Sequence, residues 1–141
     1  MFQKILVAYD DSPASKKAFS TALDMAQKYS SELSIVSVIE GLSQYAEESV
    51  DEVNQALEQG QRHFEFVHRS AMAQAEQCGV KVTSHIVPGH AVEAVVHLAE
   101  EAKVDTIVLG ALGHSKILRR ASGGTGSLIS YHAHCTVIIV R

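Results

Sequence analysis

Short apolar runs rich in β-branched residues alternate along the chain with longer segments whose apolar residues recur about every 3.6 positions. The apolar runs predict five β-strands, at residues 4–9, 32–39, 80–87, 105–109 and 135–140. Most of these runs are nearly continuous in valine, isoleucine and leucine, which is typical of parallel strands covered on both faces. The run at 80–87 alternates more between apolar and polar residues, so we expect that strand nearer an edge of the sheet.

The segments between the strands predict four helices. Ser12 and Pro13 open the first helix with a capping residue followed by proline at the first helical position. A long helix is predicted at 50–77 and stopped by Gly79, and a short one at about 125–132. The predicted inner faces of the first three helices consist of Ala14, Ala18, Ala22, Met25 and Tyr29; Val53, Leu57, Phe64, Val67, Ala71, Ala75 and Cys78; and Val92, Val95, Val96, Ala99 and Ala102.

Strands and helices alternate strictly, which predicts the fold class. With right-handed crossovers, five strands and four helices give an α/β fold, a doubly wound five-stranded parallel sheet with helices on both faces, Rossmann-like in architecture. The 141 residues suit one domain, so residues 1–141 are expected to form a single unit.

Composition excludes several classes of protein. The formal net charge of −4 argues against broad binding to nucleic acid, which needs a surplus of lysine and arginine. No apolar stretch approaches the roughly 18 residues of a membrane span, and the first apolar run is too short for a signal peptide. Cys78 and Cys135 form no CxxC pair and are interpreted as small core residues, so a cytoplasmic protein is expected.

The segment 110–127, after the fourth strand, is the best candidate for chemistry, because ligands of such sheets bind past the carboxyl ends of the strands. It holds five of the nine glycines, which let backbone N–H groups approach an anion, and its second glycine cluster adjoins a predicted helix start. It also supplies hydroxyl and cationic side chains, on Thr125, Ser127, Lys116, Arg119 and Arg120. The residues alone leave two interpretations open, a phosphate cradle and a tight strand-to-helix loop.

The glycine spacing in this segment is specific. Gly110, Gly113 and Gly123 follow the pattern Gly, two residues, Gly, nine residues, Gly, which resembles the signature of the universal stress protein family. The resemblance extends to KILVAYDDS at the first strand, to VPGHAVEAVVHLAEEAKVDTIVLGALGHS in the second half, and to HAHCTVIIVR at the last strand. It implies a fold like that of the adenine nucleotide alpha hydrolases.

The resemblance also implies an adenosine site. Asp10 would bind a ribose hydroxyl, and the backbone around Ala8 and Tyr9 and near Val38 would flank adenine. The residues expected to line the pocket floor are Leu109 and Gly110. The expected ligand is ATP, or ADP or AMP, accompanied by Mg²⁺.

The phosphates would lie on the glycine segment. Gly113, Gly123 and Gly124 would donate backbone N–H groups, helped by Thr125, and His114 lies within reach of a phosphate. A homodimer paired through the strand Thr136–Val140 is implied as well. The implied function is a cytoplasmic, nucleotide-responsive stress or signalling protein with an unknown protein partner, at most a slow ATPase.

Two positions depart from the family pattern. Gly124 and Gly126 stand where hydroxyl residues are usual, and each missing hydroxyl removes a hydrogen bond to an anion. The alternative is therefore a protein of the same fold that binds no nucleotide and acts through dimerisation and protein partners.

Two groups of side chains, one acidic and one containing histidine and cysteine, resemble metal sites only in part. Asp10 and Asp11 resemble the acidic pair of a receiver domain, but the third strand offers no phosphoacceptor aspartate, so Asp11 is interpreted as a turn residue. His132, His134 and Cys135 are close in sequence, yet no metal-binding spacing is present. Structural histidines are the favoured interpretation, and no metal ligand is assigned.

Overall fold

A computed structural model describes residues 1–42, 49–111 and 125–141. It contains five strands, namely β1 (Lys4–Ala8), β2 (Glu32–Ile39), β3 (Val82–Pro88), β4 (Thr106–Gly110) and β5 (Thr136–Val140). The helices are α1 (Pro13–Tyr29), α2 (Val50–Gln77), α3 (Ala91–Glu101) and α4 (Thr125–His132). Each predicted element is present, and the bounds of four strands shift by one or two residues.

The five strands form one sheet in the order β3-β2-β1-β4-β5, and every neighbouring pair is parallel. The strand order reverses at β1, which pairs with β2 on one side and with β4 on the other. This confirms the predicted doubly wound parallel sheet, and it puts the alternating strand β3 at an edge as expected. Of the described strands, β5 lies at the other edge.

Two apolar layers cover the sheet. On one face, α1 and α2 bury small residues and one large ring against the inner strands, among them Phe19, Ala22 and Ala71. On the other face, α3 and α4 contribute Val95, Ala99 and Ile129, which pack on β1, β2 and β4. Side chains of β1 alternate between the two layers, so burial of this central strand on both faces fixes its register.

The helix boundaries have local causes that the sequence predicts. Ser12 caps α1 by accepting a hydrogen bond from the N–H of Ser15, with Pro13 following. At the end of α2, Gly79 adopts a φ of 73°, and the N–H of Val80 reaches back to the carbonyl of Ala75. This reversal is the glycine-based helix stop that was predicted.

Two residues expected in the core lie at the surface. Cys78 is exposed because α2 ends one residue earlier and Cys78 forms its C-terminal cap. Tyr29, in the last turn of α1, is 54% exposed and packs its ring against Phe2 at 5.2 Å between centroids. Both residues lie at the ends of their helices, where the apolar face of the helix extends beyond the edge of the sheet.

Asp105 connects β1 to β4 at the amino-terminal ends of these strands. Its carboxylate accepts hydrogen bonds from the N–H groups of Gln3 and Lys4, and from the Thr106 hydroxyl. Burial acts to raise the pKa of this carboxyl, yet the hydrogen bonds together bring the pKa below its usual value. None of the helices in the described ranges is long and apolar enough to cross a membrane.

Candidate functional site

A cleft of about 310 Å³ opens at the carboxyl ends of β1, β2 and β4, where the strand order reverses. This is the position at which open α/β sheets bind ligands, and the volume falls within the usual range for small-molecule sites. Seven of the residues predicted for the site line this one cleft: Ala8, Tyr9, Asp10, Val38, Leu109, Gly110 and Thr125. Gly113, His114, Gly123 and Gly124 lie outside the described residues.

A tight acidic turn forms the wall after β1. Asp10 Oδ1 accepts a hydrogen bond of 3.0 Å from the N–H of Ser12, which sets the orientation of the carboxylate at the cleft. Asp11 takes the left-handed conformation, with a φ of 64°, and its exposed carboxylate lies 3.3 Å from Lys16 Nζ. Asp10 therefore faces the cleft, whereas Asp11 is the turn residue that was predicted.

The same turn is held from below by hydroxyl groups. Ser15 Oγ accepts a 3.3 Å hydrogen bond from the N–H of Asp10 and donates to the carbonyl of Ser12. Both serines are buried although they are polar, because each hydroxyl has a backbone partner. The turn is thus fixed before any ligand arrives.

The floor of the cleft depends on a close approach of α1 to β4. A Cβ built on Gly110 would lie 2.5 Å from the carbonyl carbon of Ala14 and 2.6 Å from its oxygen. Only glycine fits there, so Gly110 serves packing as well as the pocket floor. The N–H of Ala111 is occupied by the carbonyl of Val140.

Thr125 begins α4 and lines the opposite wall. Its Oγ1 is buried and has no hydrogen-bond partner among the residues that the structure describes. A hydroxyl in that state is a ready donor to an acceptor entering the cleft, and the first N–H groups of a helix favour an anion. Ser127, considered with it from the sequence, is exposed and does not line the cleft.

The cleft is also lined by residues that were not predicted for the site, among them Glu40, His63 and Phe64. Glu40, just after β2, lines the cleft, and its Oε1 accepts a 3.1 Å hydrogen bond from the N–H of Ala91. His63 and Phe64 come from the middle of α2, with ring centroids 5.0 Å apart. Only the position of Glu40 at a strand end was a usable signal, since the orientation of α2 is set by tertiary packing.

His68, which does not line the cleft, is a further residue that the sequence did not single out. It is 1% exposed, and its ring nitrogens lie 2.7 Å from Ser37 Oγ and 2.5 Å from Ser84 Oγ. Burial, and secondarily the nearby His85, lowers the pKa of His68 from its usual 6.5 to about 4. The imidazole is therefore neutral at physiological pH.

His134 and Cys135, the remaining candidates for a metal site, make contacts within the fold. His134 Nε2 pairs with Glu100 at 3.2 Å, while Cys135 packs in the apolar layer beneath α3, where burial raises its pKa. Across residues 1–42, 49–111 and 125–141, no group of three or more His, Cys, Asp or Glu side chains could hold a metal ion.

Known proteins resemble this chain over its full length. Universal stress protein YxiE of Bacillus subtilis is 30% identical, with all of both chains aligned. Among solved structures, universal stress protein UspA from Lactobacillus plantarum superposes with a TM-score of 0.82 at 25% identity, covering 99% of this chain and 98% of the other. A universal stress protein in complex with cAMP superposes with a TM-score of 0.76 at 25% identity, covering 99% and 97%.

The family resemblance inferred from the glycine spacing is confirmed by these relatives and by a direct family match. Residues 1–141 match the universal stress protein family from end to end. The parallel sheet and the order of its elements agree with the structures of that family. The chain belongs to the universal stress protein family.

Proposed function

We propose that the protein binds an adenine nucleotide, ATP in the first place, in the cleft at the carboxyl ends of β1, β2 and β4. The observation that carries the proposal is the presence of two polar groups on opposite walls of this cleft. Asp10 presents an oriented carboxylate on one wall, and Thr125 presents a buried hydroxyl with no partner among the described residues on the other. A ribose supplies donors for the first, and a phosphate supplies an acceptor for the second.

The apolar part of the cleft suits a base. Val38, Leu109 and Ile129 line it, and Phe64 adds an aromatic edge from α2. Adenine would lie there against the backbone at Ala8 and Tyr9. A universal stress protein of the same fold has been solved in complex with cAMP, a nucleotide of the same base, which supports this assignment.

The phosphates would extend from Thr125 towards Gly113, Gly123 and Gly124, with His114 beside them. The described wall of the cleft carries Asp10 and Glu40, which repel phosphate oxygens. Mg²⁺ would offset that repulsion by bridging the phosphates, as a hard cation with oxygen ligands does. The first turn of α4 contributes backbone N–H groups to the same anion.

The nucleotide would act as a signal rather than as a substrate. We propose a cytoplasmic homodimer of one domain per chain, paired through the edge strand β5, whose Ile139 is 38% exposed. Hydrolysis of ATP would be slow at most. The response to stress would then pass from the loaded dimer to a protein partner.

Asp10→Asn is expected to weaken ATP binding about 10- to 100-fold, because the ribose loses a charge-assisted hydrogen bond. The asparagine oxygen can still accept from the Ser12 N–H, so the turn stays intact. Isothermal titration calorimetry with ATP and Mg²⁺ measures the change. Asp11→Asn is the matched control, because Asp11 is exposed and pairs with Lys16, and its affinity should equal that of the wild type. Absence of wild-type binding at millimolar ATP would overturn the proposal.

A second candidate function rests on Gly124 and Gly126, which replace hydroxyl residues of the family pattern. A nucleotide-free interaction protein of the same fold would dimerise without any response to ATP. Analysis of the purified protein after denaturation separates the two functions, since release of bound ATP, ADP or AMP contradicts the nucleotide-free one.

A further inference from the structure

A chain of hydrogen bonds, buried at its centre, runs from the edge of the sheet to the cleft. It starts at Ser84 on β3, passes through His68 on α2 and Ser37 on β2, and ends at the backbone carbonyl of Tyr9 after β1. Four separate elements are thereby joined on one face of the sheet. Ser37 and His68 are both almost wholly buried, so water does not compete for the bond between them, whereas Ser84 lies at the exposed edge of the sheet.

The direction of each bond follows from the number of protons. Ser37 has a single hydroxyl proton, which it donates to the carbonyl of Tyr9. Its oxygen must therefore accept the proton carried by His68 Nε2, and Nδ1, which then bears no proton, accepts from Ser84. A single neutral tautomer satisfies every partner. The lowered pKa of His68 agrees with an imidazole that stays neutral.

The chain ends on the peptide unit that precedes the Asp10 side chain. The carbonyl of this peptide belongs to Tyr9 and is held by Ser37, and its N–H belongs to Asp10 and is held by Ser15 Oγ at 3.3 Å. The plane of the peptide is therefore clamped from both sides. Because Asp10 Oδ1 also accepts from the Ser12 N–H, the carboxylate has little freedom left.

We infer that His68 is a positioning residue for the nucleotide site, since its Nε2–H holds the Ser37 hydroxyl that fixes the peptide between Tyr9 and Asp10. The inference rests on the proposed nucleotide binding. His68 does not line the cleft, so it acts on the ligand through Ser37 and the backbone alone. Its ring also packs edge-on against Tyr9, with centroids 6.1 Å apart, so a purely space-filling role is the alternative that a test must separate.

Two amide substitutions test the hydrogen bond to Ser37, because both remove the ring that packs against Tyr9. His68→Gln places an amide N–H near the position of Nε2 and can still donate to Ser37. His68→Asn is one methylene shorter; its amide replaces Nδ1 beside Ser84 and leaves Ser37 without its donor. Positioning predicts that ATP affinity falls about 3- to 10-fold in His68→Asn and stays close to wild type in His68→Gln. Equal affinities in the two variants would overturn the inference.

A readout without nucleotide keeps this inference separate from the proposed function. Hydrogen exchange of the Asp10 amide, followed by NMR, reports how firmly the clamped peptide is held. We expect exchange to accelerate about 3- to 10-fold in His68→Asn relative to His68→Gln. The ¹⁵N shifts of the wild-type imidazole should show a protonated Nε2 and an unprotonated Nδ1. The opposite tautomer, or equal exchange in both variants, would refute the positioning role even if ATP binds, whereas failure of wild-type ATP binding would refute only the proposed function.

Discussion

Gly110→Ala is expected to lower the free energy of unfolding by about 3 kcal/mol or more, the upper range for an overpacked core site. The added Cβ would lie 2.5 Å from the carbonyl carbon, 2.6 Å from the oxygen and 2.8 Å from the Cβ of Ala14. Two of these atoms are backbone atoms in the first turn of α1, so no rotamer change relieves the contact. The helix must move away from β4 or the strand must bend, and either shift opens the layer around Phe19.

Gly126→Ala is the matched control for this change. A Cβ on Gly126 meets its nearest neighbours at 3.8 and 3.9 Å, which is ordinary contact, and the residue lies in the first turn of α4. Alanine there should leave stability unchanged or raise it by up to about 1 kcal/mol, the usual difference in helix propensity. Urea unfolding of the two variants compares them directly. Equal stabilities would show that α1 does not approach β4 as closely as described.

Acidification from pH 6.5 to pH 4 is expected to remove about 3 kcal/mol of stability through His68 alone. The pKa of His68 is lowered to about 4 in the folded protein, against 6.5 for an exposed histidine. Between these values the unfolded chain binds more protons than the folded one, so unfolding becomes easier as the pH falls. The contribution of His68 is complete above pH 6.5, and its loss is complete below pH 4.

The titratable groups around His68 define the control for this measurement. The pKa of His68 is lowered in part by His85 on β3, and the Tyr9 ring, just after β1, packs against His68. Burial, and then the charges of Asp11 and Asp10, raise the pKa of Tyr9, so it stays neutral in this range. Asp105 has its pKa lowered from 3.8, so its contribution is lost only at lower pH. His68→Gln removes the titration and keeps the donor. Denaturant unfolding of wild type and His68→Gln at pH 4 and pH 7 should therefore show the steeper loss in the wild type, and parallel losses would contradict the assignment.

The fold was predictable because its signals are local. Each strand or helix is predicted from the pattern of apolar residues within its own segment. The cap at Ser12 and the stop at Gly79 depend on a few neighbouring residues. Helical periodicity also located the inner face of α2 at Val67, Ala71 and Ala75. It failed at the helix ends, because periodicity continues past the point where the sheet below it stops.

The cleft was predictable only in part, because some of its residues carry a signal in the sequence and others reach it through tertiary packing. The position of the glycine segment after a strand pointed to Gly110, and the family resemblance implied Asp10; both residues line the cleft. His63 and Glu40 were missed because they reach it through packing between elements. His68 was missed for the same reason, since its two serine partners lie 31 and 16 residues away. The packing role of Gly110 likewise depends on how closely a helix approaches a strand, which the sequence does not encode in a local pattern.

The central position of β1 has a consequence for synthesis on the ribosome. One edge of β1 pairs with β2, which follows directly after α1, so a β-α-β unit can form early. The other edge of β1 pairs with β4, and the N–H of Lys4 donates a hydrogen bond to Asp105, which lies 101 residues further along the chain. Until that segment emerges, the nascent chain exposes an apolar strand with open backbone groups. We therefore expect the nascent chain to be most prone to aggregate in this interval, before β4 emerges.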